Sequence, residues 1–182
     1  MKKALLILAN GFEEIEALGT ADVLRRLNVS VTLAGVGSGE ICGAHDMVVR
    51  ADTVLSDVAR EDFDVVILPG GMPGAANLDG DTVVDAVLKK AAAGGNTVVA
   101  AICAAPFVLA KRGLLNGKKF TMYPGFEAEL GGLTYTSNPA ETDGRIVTGK
   151  GPGAVFDFAA AIAAALGLKN ECEKLYQGMF IK

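Results

Sequence analysis

At 182 residues with a formal net charge of −4, the chain suits one domain burying about 70% of its unfolded surface, and it lacks the basic character of nucleic-acid binders. Hydrophobic residues make up 51% of it and charged residues 21%, an ordinary balance for a globular protein, and no apolar run approaches membrane-spanning length. Cys42, Cys103 and Cys172 form no C-x-x-C and leave an odd count, which argues against a disulfide framework or zinc site and for a reducing cytoplasm.

The chain opens on Met1-Lys2-Lys3 and an apolar run to Ala9. That run is too short for a signal peptide and has no A-x-A site after it, so residues 3–9 are expected to form a buried parallel strand. A helix is expected over residues 14–27, with Leu18, Val23, Leu24 and Leu27 toward one face, and a strand over 30–35. Ile41, Met47, Val48 and Val49 around Gly43 predict a small hairpin between residues 40 and 51. Further strands are expected at 64–68, 97–102 and 145–148, and helices at 82–93, 104–112, 153–166 and 170–177. Val83, Val84, Val87 and Leu88 mark one face of the 82–93 helix. Residues 119–138, rich in glycine and aromatics, form the least regular stretch. The pairs Lys89-Lys90, Lys111-Arg112 and Lys118-Lys119 read as solvated helix ends. Alternating strands and helices predict an α/β domain spanning 1–182, its mostly parallel sheet covered by helices on both sides.

In such a sheet the crevice lies beyond the carboxyl ends of the strands. Four segments should meet there: Gly11-Phe12-Glu13-Glu14-Ile15-Glu16, Pro69-Gly70-Gly71, Cys103, and Gly149-Lys150-Gly151-Pro152-Gly153. Cys103 ends an apolar run and precedes the helix-prone Ala104-Ala105-Pro106. At a helix N-terminus, unpaired N–H groups and the dipole favour a thiolate, so Cys103 is expected to be an acidic nucleophile. The geometry is that of a nucleophile elbow, although no G-x-S-x-G is present.

Gly70-Gly71 permits a sharp turn with exposed N–H groups; one of these, with that of Ala104, would form an oxyanion hole near the sulfur. Glu13, Glu14 and Glu16 crowd the crevice, and spacing alone does not choose which faces Cys103. His45, the only histidine, lies on the hairpin away from every strand end, which weakens a cysteine–histidine dyad. Tyr123, in Met122-Tyr123-Pro124-Gly125, is either a pocket wall or core. Cys42 is a secondary candidate for oxidation, and Cys172 is packing. The glycine-rich segment at 149–153 mimics a dinucleotide fingerprint but follows the last strand, where Pro152 starting a helix explains it.

Ile7-Leu8-Ala9-Asn10-Gly11-Phe12-Glu13-Glu14-Ile15-Glu16, Asp64-Val65-Val66-Ile67-Leu68-Pro69-Gly70-Gly71, Ala100-Ala101-Ile102-Cys103-Ala104-Ala105-Pro106 and Gly151-Pro152-Gly153 together resemble the ThiJ/PfpI superfamily, nearest its Parkinson-disease-protein (protein deglycase, glyoxalase III-like) branch. The resemblance implies a flavodoxin-like three-layer α/β/α sandwich and a homodimer. It also implies an elbow nucleophile at Cys103, a protonated Glu16 beside it, and oxyanion donors at Gly71 and Ala104. Many members carry a His-Pro pair near the cysteine, where this chain has Tyr123-Pro124, and an arginine in the hairpin of some relatives is replaced by Gly43-Ala44-His45.

The implied chemistry needs no cofactor and no metal. Cys103 attacks the aldehyde of methylglyoxal or glyoxal, or an early glycation adduct on a protein, and protects against carbonyl stress. A redox sensor or chaperone acting through oxidation of Cys103 is the alternative, and a protease or amidase the third reading. The expected partners are a small dicarbonyl or glycated protein and a second copy of the chain, with neither nucleic acid nor membrane.

Overall fold

The computed structural model describes residues 1–181. In chain order it forms β1 (Lys3–Leu8), α1 (Glu14–Arg26), β2 (Ser30–Gly35), β3 (Glu40–Cys42), β4 (Val48–Arg50), β5 (Thr53–Val54), α2 (Leu55–Val58), β6 (Val65–Leu68), α3 (Gly74–Gly80) and α4 (Thr82–Ala93). Then come β7 (Val98–Ile102), α5 (Pro106–Lys111), β8 (Lys119–Phe120), β9 (Thr134–Tyr135), β10 (Ala140–Asp143), β11 (Ile146–Gly149), α6 (Val155–Ala165) and α7 (Lys169–Gly178). One sheet runs β10-β11-β7-β6-β1-β2-β5, parallel throughout except for the antiparallel edge pair β10–β11. The separate β3–β4 ladder is the expected hairpin.

Side-chain alternation along the strands builds the layers. Leu6 and Leu8 of β1 join Ile67 and Ile102 under α1 and α6, whereas Leu5 and Ile7 join Val66 and Leu68 under α4 and α5. All eight of these side chains are at most 2% exposed. Burying each contributes about 1.5–3 kcal/mol before the entropy of ordering is counted. This is the α/β/α arrangement, and it leaves the loops after β1, β6, β7 and β11 at one edge.

Leu18 departs from expectation: it is 37% exposed, because α1 buries the face carrying Ala17, Thr20, Ala21, Val23 and Leu24. The fifth helix begins at Pro106 rather than Ala104, with proline at its first position and Ala104-Ala105 in the preceding turn. β10, of sequence Ala-Glu-Thr-Asp, carries no apolar run and holds its place by backbone pairing at the sheet edge. No helix of the described residues is long and apolar enough to cross a membrane.

Candidate active site

Cys103 directly follows β7 and is clamped through its own backbone. Its N–H donates to the Gly149 carbonyl at 2.9 Å, and its carbonyl accepts from the Tyr123 N–H at 2.9 Å. The residue sits at φ 63, a left-handed conformation that costs a non-glycine residue about 1–3 kcal/mol. Strain of that kind persists only where neighbours over-determine it, and here it aims a half-buried thiol out of the strand direction.

The first turn of α1 supplies the acid. Glu16 is 1% exposed, and its Oε2 accepts the Gly70 N–H at 2.8 Å. Its Oε1 is buried without a hydrogen bond of regular geometry, and the Cys103 thiol is the polar side chain close enough to interact with the carboxyl. Glycine at 70 is a steric requirement: a Cβ there would lie 2.5 Å from Cys103 Cβ and 2.7 Å from Glu16 Oε2. Gly71, at φ +88, admits no side chain either, since its Cβ would stand 2.5 Å from the Glu13 nitrogen.

Burial dominates the electrostatics. It pushes the Glu16 carboxyl up to about 7, against the opposing hydrogen bonds from Cys103 and the Gly70 N–H, and the nearby Glu13 charge adds to the rise. Burial and the charge of an ionised Glu16 push the Cys103 thiol up to about 12, while the backbone N–H groups of Gly71 and Ala104 pull the other way. The expectation of a thiol made acidic by its helix end is therefore corrected. α5 has only six residues and starts beyond the turn, so its dipole is outweighed by desolvation and the adjacent carboxylate. Cys103 and Glu16 hold a proton between them near neutrality, because two anions in contact cannot both persist in a buried site.

The structure thus brings together Cys103, Glu16, Gly70, Gly71 and Ala104, with the Gly71 and Ala104 N–H groups near enough to favour the sulfur's anion. Tyr123 is 47% exposed and is a wall rather than core, its ring edge-on to Phe126 at 6.3 Å. Cys42 is half-buried with its thiol 3.6 Å from the Gly43 carbonyl, and Cys172 is buried at 3% exposure.

His45 stays out of the cysteine's surroundings but has a role the sequence did not suggest. Its Nδ1 lies 2.8 Å from Glu14 Oε2, its backbone N–H donates to Glu14 Oε1 at 2.7 Å, and Glu13 Oε2 is 3.6 Å away. A Cβ at Gly43 would collide with Glu14; the bare Gly43-Ala44 before the histidine was the one sequence signal of that close approach. Burial opposes ionisation of Glu14, yet the hydrogen bonds from His45 hold its carboxyl below the ordinary value. Hydrogen bonding to Glu14, then the charge of Glu13, raises the imidazole. Ligand atoms of Glu13, Glu14 and His45 lie within 4.8 Å of one another, a proximity that ion pairing accounts for without a metal.

Residues 2–165 match the model of the DJ-1/PfpI family. The chain is 40% identical over 183 residues to Protein dj-1beta of Drosophila melanogaster, covering 99% of this chain and 97% of the relative. It is 34% identical over 168 residues to the glutathione-independent glyoxalase DJR-1.2 of Caenorhabditis elegans, covering 91% and 89%. In shape it is similar to a DJ-1 superfamily protein of Salmonella typhimurium, with a TM-score of 0.95 and 34% identity over the full length of both chains. With sequence and shape matching from end to end, the chain belongs to the DJ-1/PfpI family.

Proposed function

We propose that the protein is a cofactor-independent glyoxalase in which Cys103 is the nucleophile and Glu16 the acid–base group. The observation that carries this reading is a buried carboxyl raised to about 7 beside a strained, half-buried thiol. A general base works best with a pKa near the working pH. As the sulfur bonds to the aldehyde carbon of methylglyoxal, the Glu16 carboxylate takes the thiol proton and passes it to the new alkoxide, giving a hemithioacetal. Glu16 then moves a proton from the first carbon to the second, leaving a lactoyl thioester. Water cleaves the thioester, releasing lactate and restoring the thiol, so the sum is methylglyoxal plus water to lactate.

The Gly71 and Ala104 N–H groups stabilise negative charge on sulfur and on the oxygen that forms beside it. The glyoxalase name of the Caenorhabditis relative supports the reading. The same attack extends to early glycation adducts on proteins, in line with a role against carbonyl stress. Lactate formation from methylglyoxal without glutathione tests the proposal, provided that it disappears in Cys103→Ser. A stable Cys103 sulfinate in dilute peroxide, with no turnover, would favour the redox-sensor reading instead, since Glu16 Oε1 is free to hydrogen-bond such a product.

A homodimer is part of the same proposal. Ile15 and Leu18 on α1 and Met47 and Val48 at the hairpin are 57%, 37%, 57% and 65% exposed, and the Glu14–His45 contact joins the two elements. An exposed apolar patch of this kind marks an association surface. Sedimentation should show a dimer at micromolar concentration, weakened by Val48→Asp; a monomer in the native protein would contradict it.

A further inference from the structure

We propose that the cleft beside Tyr123 is a subsite for the aryl group of a 2-oxoaldehyde whose aldehyde carbon reacts at Cys103, so that aryl-substituted dicarbonyls are preferred over methylglyoxal. This rests on the reading of Cys103 as a dicarbonyl nucleophile and names the substrate class that the site would take.

The cleft's position ties it to the backbone of Cys103. Its walls are the two segments bonded to the Cys103 backbone: Tyr123, whose N–H donates to the Cys103 carbonyl, and the residues after Gly149, whose carbonyl accepts the Cys103 N–H. Its volume is about 550 Å³. That space, open to solvent on one side, is wide enough to take a six-membered ring against its walls.

The lining suits a flat apolar group. The Tyr123 ring and the rings of Pro124, Pro139 and Pro152 surround the space, with Lys150 and Asp157 as its charged members. Tyr123 is held in place, edge-on to Phe126 on one side and close against Gly151 on the other, where an added Cβ would stand 3.3 Å from the ring. A pre-positioned aromatic wall favours an aryl ligand by stacking or edge contact and by small ordering cost. The Lys150 ammonium is anchored by the carbonyl and hydroxyl oxygens of Ser137, at 3.2 and 2.9 Å, and pairs with no carboxylate among the described residues.

Gly153 provides the test, because a Cβ there meets nothing within 4 Å and a larger side chain at this position would intrude on the cleft. Mandelate and lactate, the products from phenylglyoxal and methylglyoxal, are titrated calorimetrically into the native protein, Gly153→Phe and Tyr123→Ala. Mandelate is expected to bind about tenfold or more tightly than lactate in the native protein, and that ratio should collapse in both variants. Equal binding of the two acids by the native protein, or a preference untouched by either substitution, would overturn the subsite. Turnover of both aldehydes is measured in parallel. Loss of all turnover with the mandelate preference intact strikes at the glyoxalase reading and not at the aryl-binding cleft.

Discussion

Glu16 and Cys103 meet across the crevice with opposed demands on one proton. Burial lifts the carboxyl to about 7, and burial together with the carboxylate it becomes lifts the thiol to about 12. Their backbone surroundings sharpen the opposition, since the Gly70 N–H favours the carboxylate while the Gly71 and Ala104 N–H groups favour the thiolate. On the proposed mechanism, sulfur chemistry near neutrality is assisted by Glu16 and does not draw on a standing population of free thiolate.

Glu16→Gln keeps the size and the hydrogen bond from Gly70 but removes the base. Methylglyoxal turnover should fall by about 10²–10⁴-fold, the usual contribution of a positioned proton-transfer group. Steady-state kinetics on folded variant, judged by circular dichroism, checks this. Full activity would remove Glu16 from the mechanism.

The same substitution separates function from stability. A folded-state value of about 7 against an ordinary 4.5 means that the folded protein binds this proton more tightly than the unfolded chain. The favourable contribution is complete below about 4.5 and is lost as pH rises to about 7, with a size of about 3 kcal/mol. Urea unfolding of the native protein should weaken relative to Glu16→Gln across that window and run parallel to it at higher pH. An unchanged difference from pH 4 to pH 8 would show that Glu16 is not raised.

Gly70→Ala should cost activity without touching a reacting atom. Its Cβ would overlap both Cys103 and Glu16, and displacements of about 1 Å at reacting groups cost on the order of 10²-fold. Gly39→Ala, where a Cβ meets nothing within 4 Å, is the matched control and should be silent in kcat/KM.

The His45–Glu14 contact should fasten the hairpin to α1 in a pH-dependent way. With the imidazole raised and the Glu14 carboxyl lowered, the charged pair is fully present between the lowered Glu14 value and the ordinary histidine value of 6.5 and fades as pH rises through the raised one. Glu13 and Asp46 also bear on His45 and act in the same direction. After correction for intrinsic rates, hydrogen exchange at the amides of Gly43 to Met47 should speed up in His45→Ala and, in the native protein, above that pH. Identical protection in the two proteins at pH 6 would refute the fastening.

Much of the fold was open to inspection in the residues, because buried parallel strands are short apolar runs: Ala4 to Leu8, Val65 to Leu68 and Val98 to Ile102 are each almost wholly buried. Polar β10 and glycine-bounded α3 escaped notice, since edge pairing and packing against neighbours hold them rather than any local pattern. Cys103 was legible from its strand-to-turn position. Spacing did not single out Glu16 from Glu13 and Glu14; that choice came only through family resemblance, and tertiary placement supplies its physical basis, with Glu16 against Gly70 and Glu14 against His45. The thiol's acidity was misjudged for a related reason. A helix dipole can be read from sequence, whereas desolvation and a carboxylate arriving from another element cannot.

The most direct test is the rate of Cys103 alkylation by iodoacetamide as a function of pH, in the native protein and in Glu16→Gln. With the Glu16 carboxylate taking the thiol proton, the native rate should rise as that carboxyl ionises near 7, although the thiol itself is raised above its ordinary 9.0, and the substitution should abolish that inflection. Superimposable curves for the two proteins, or a single native inflection at the ordinary thiol value, would contradict the shared proton.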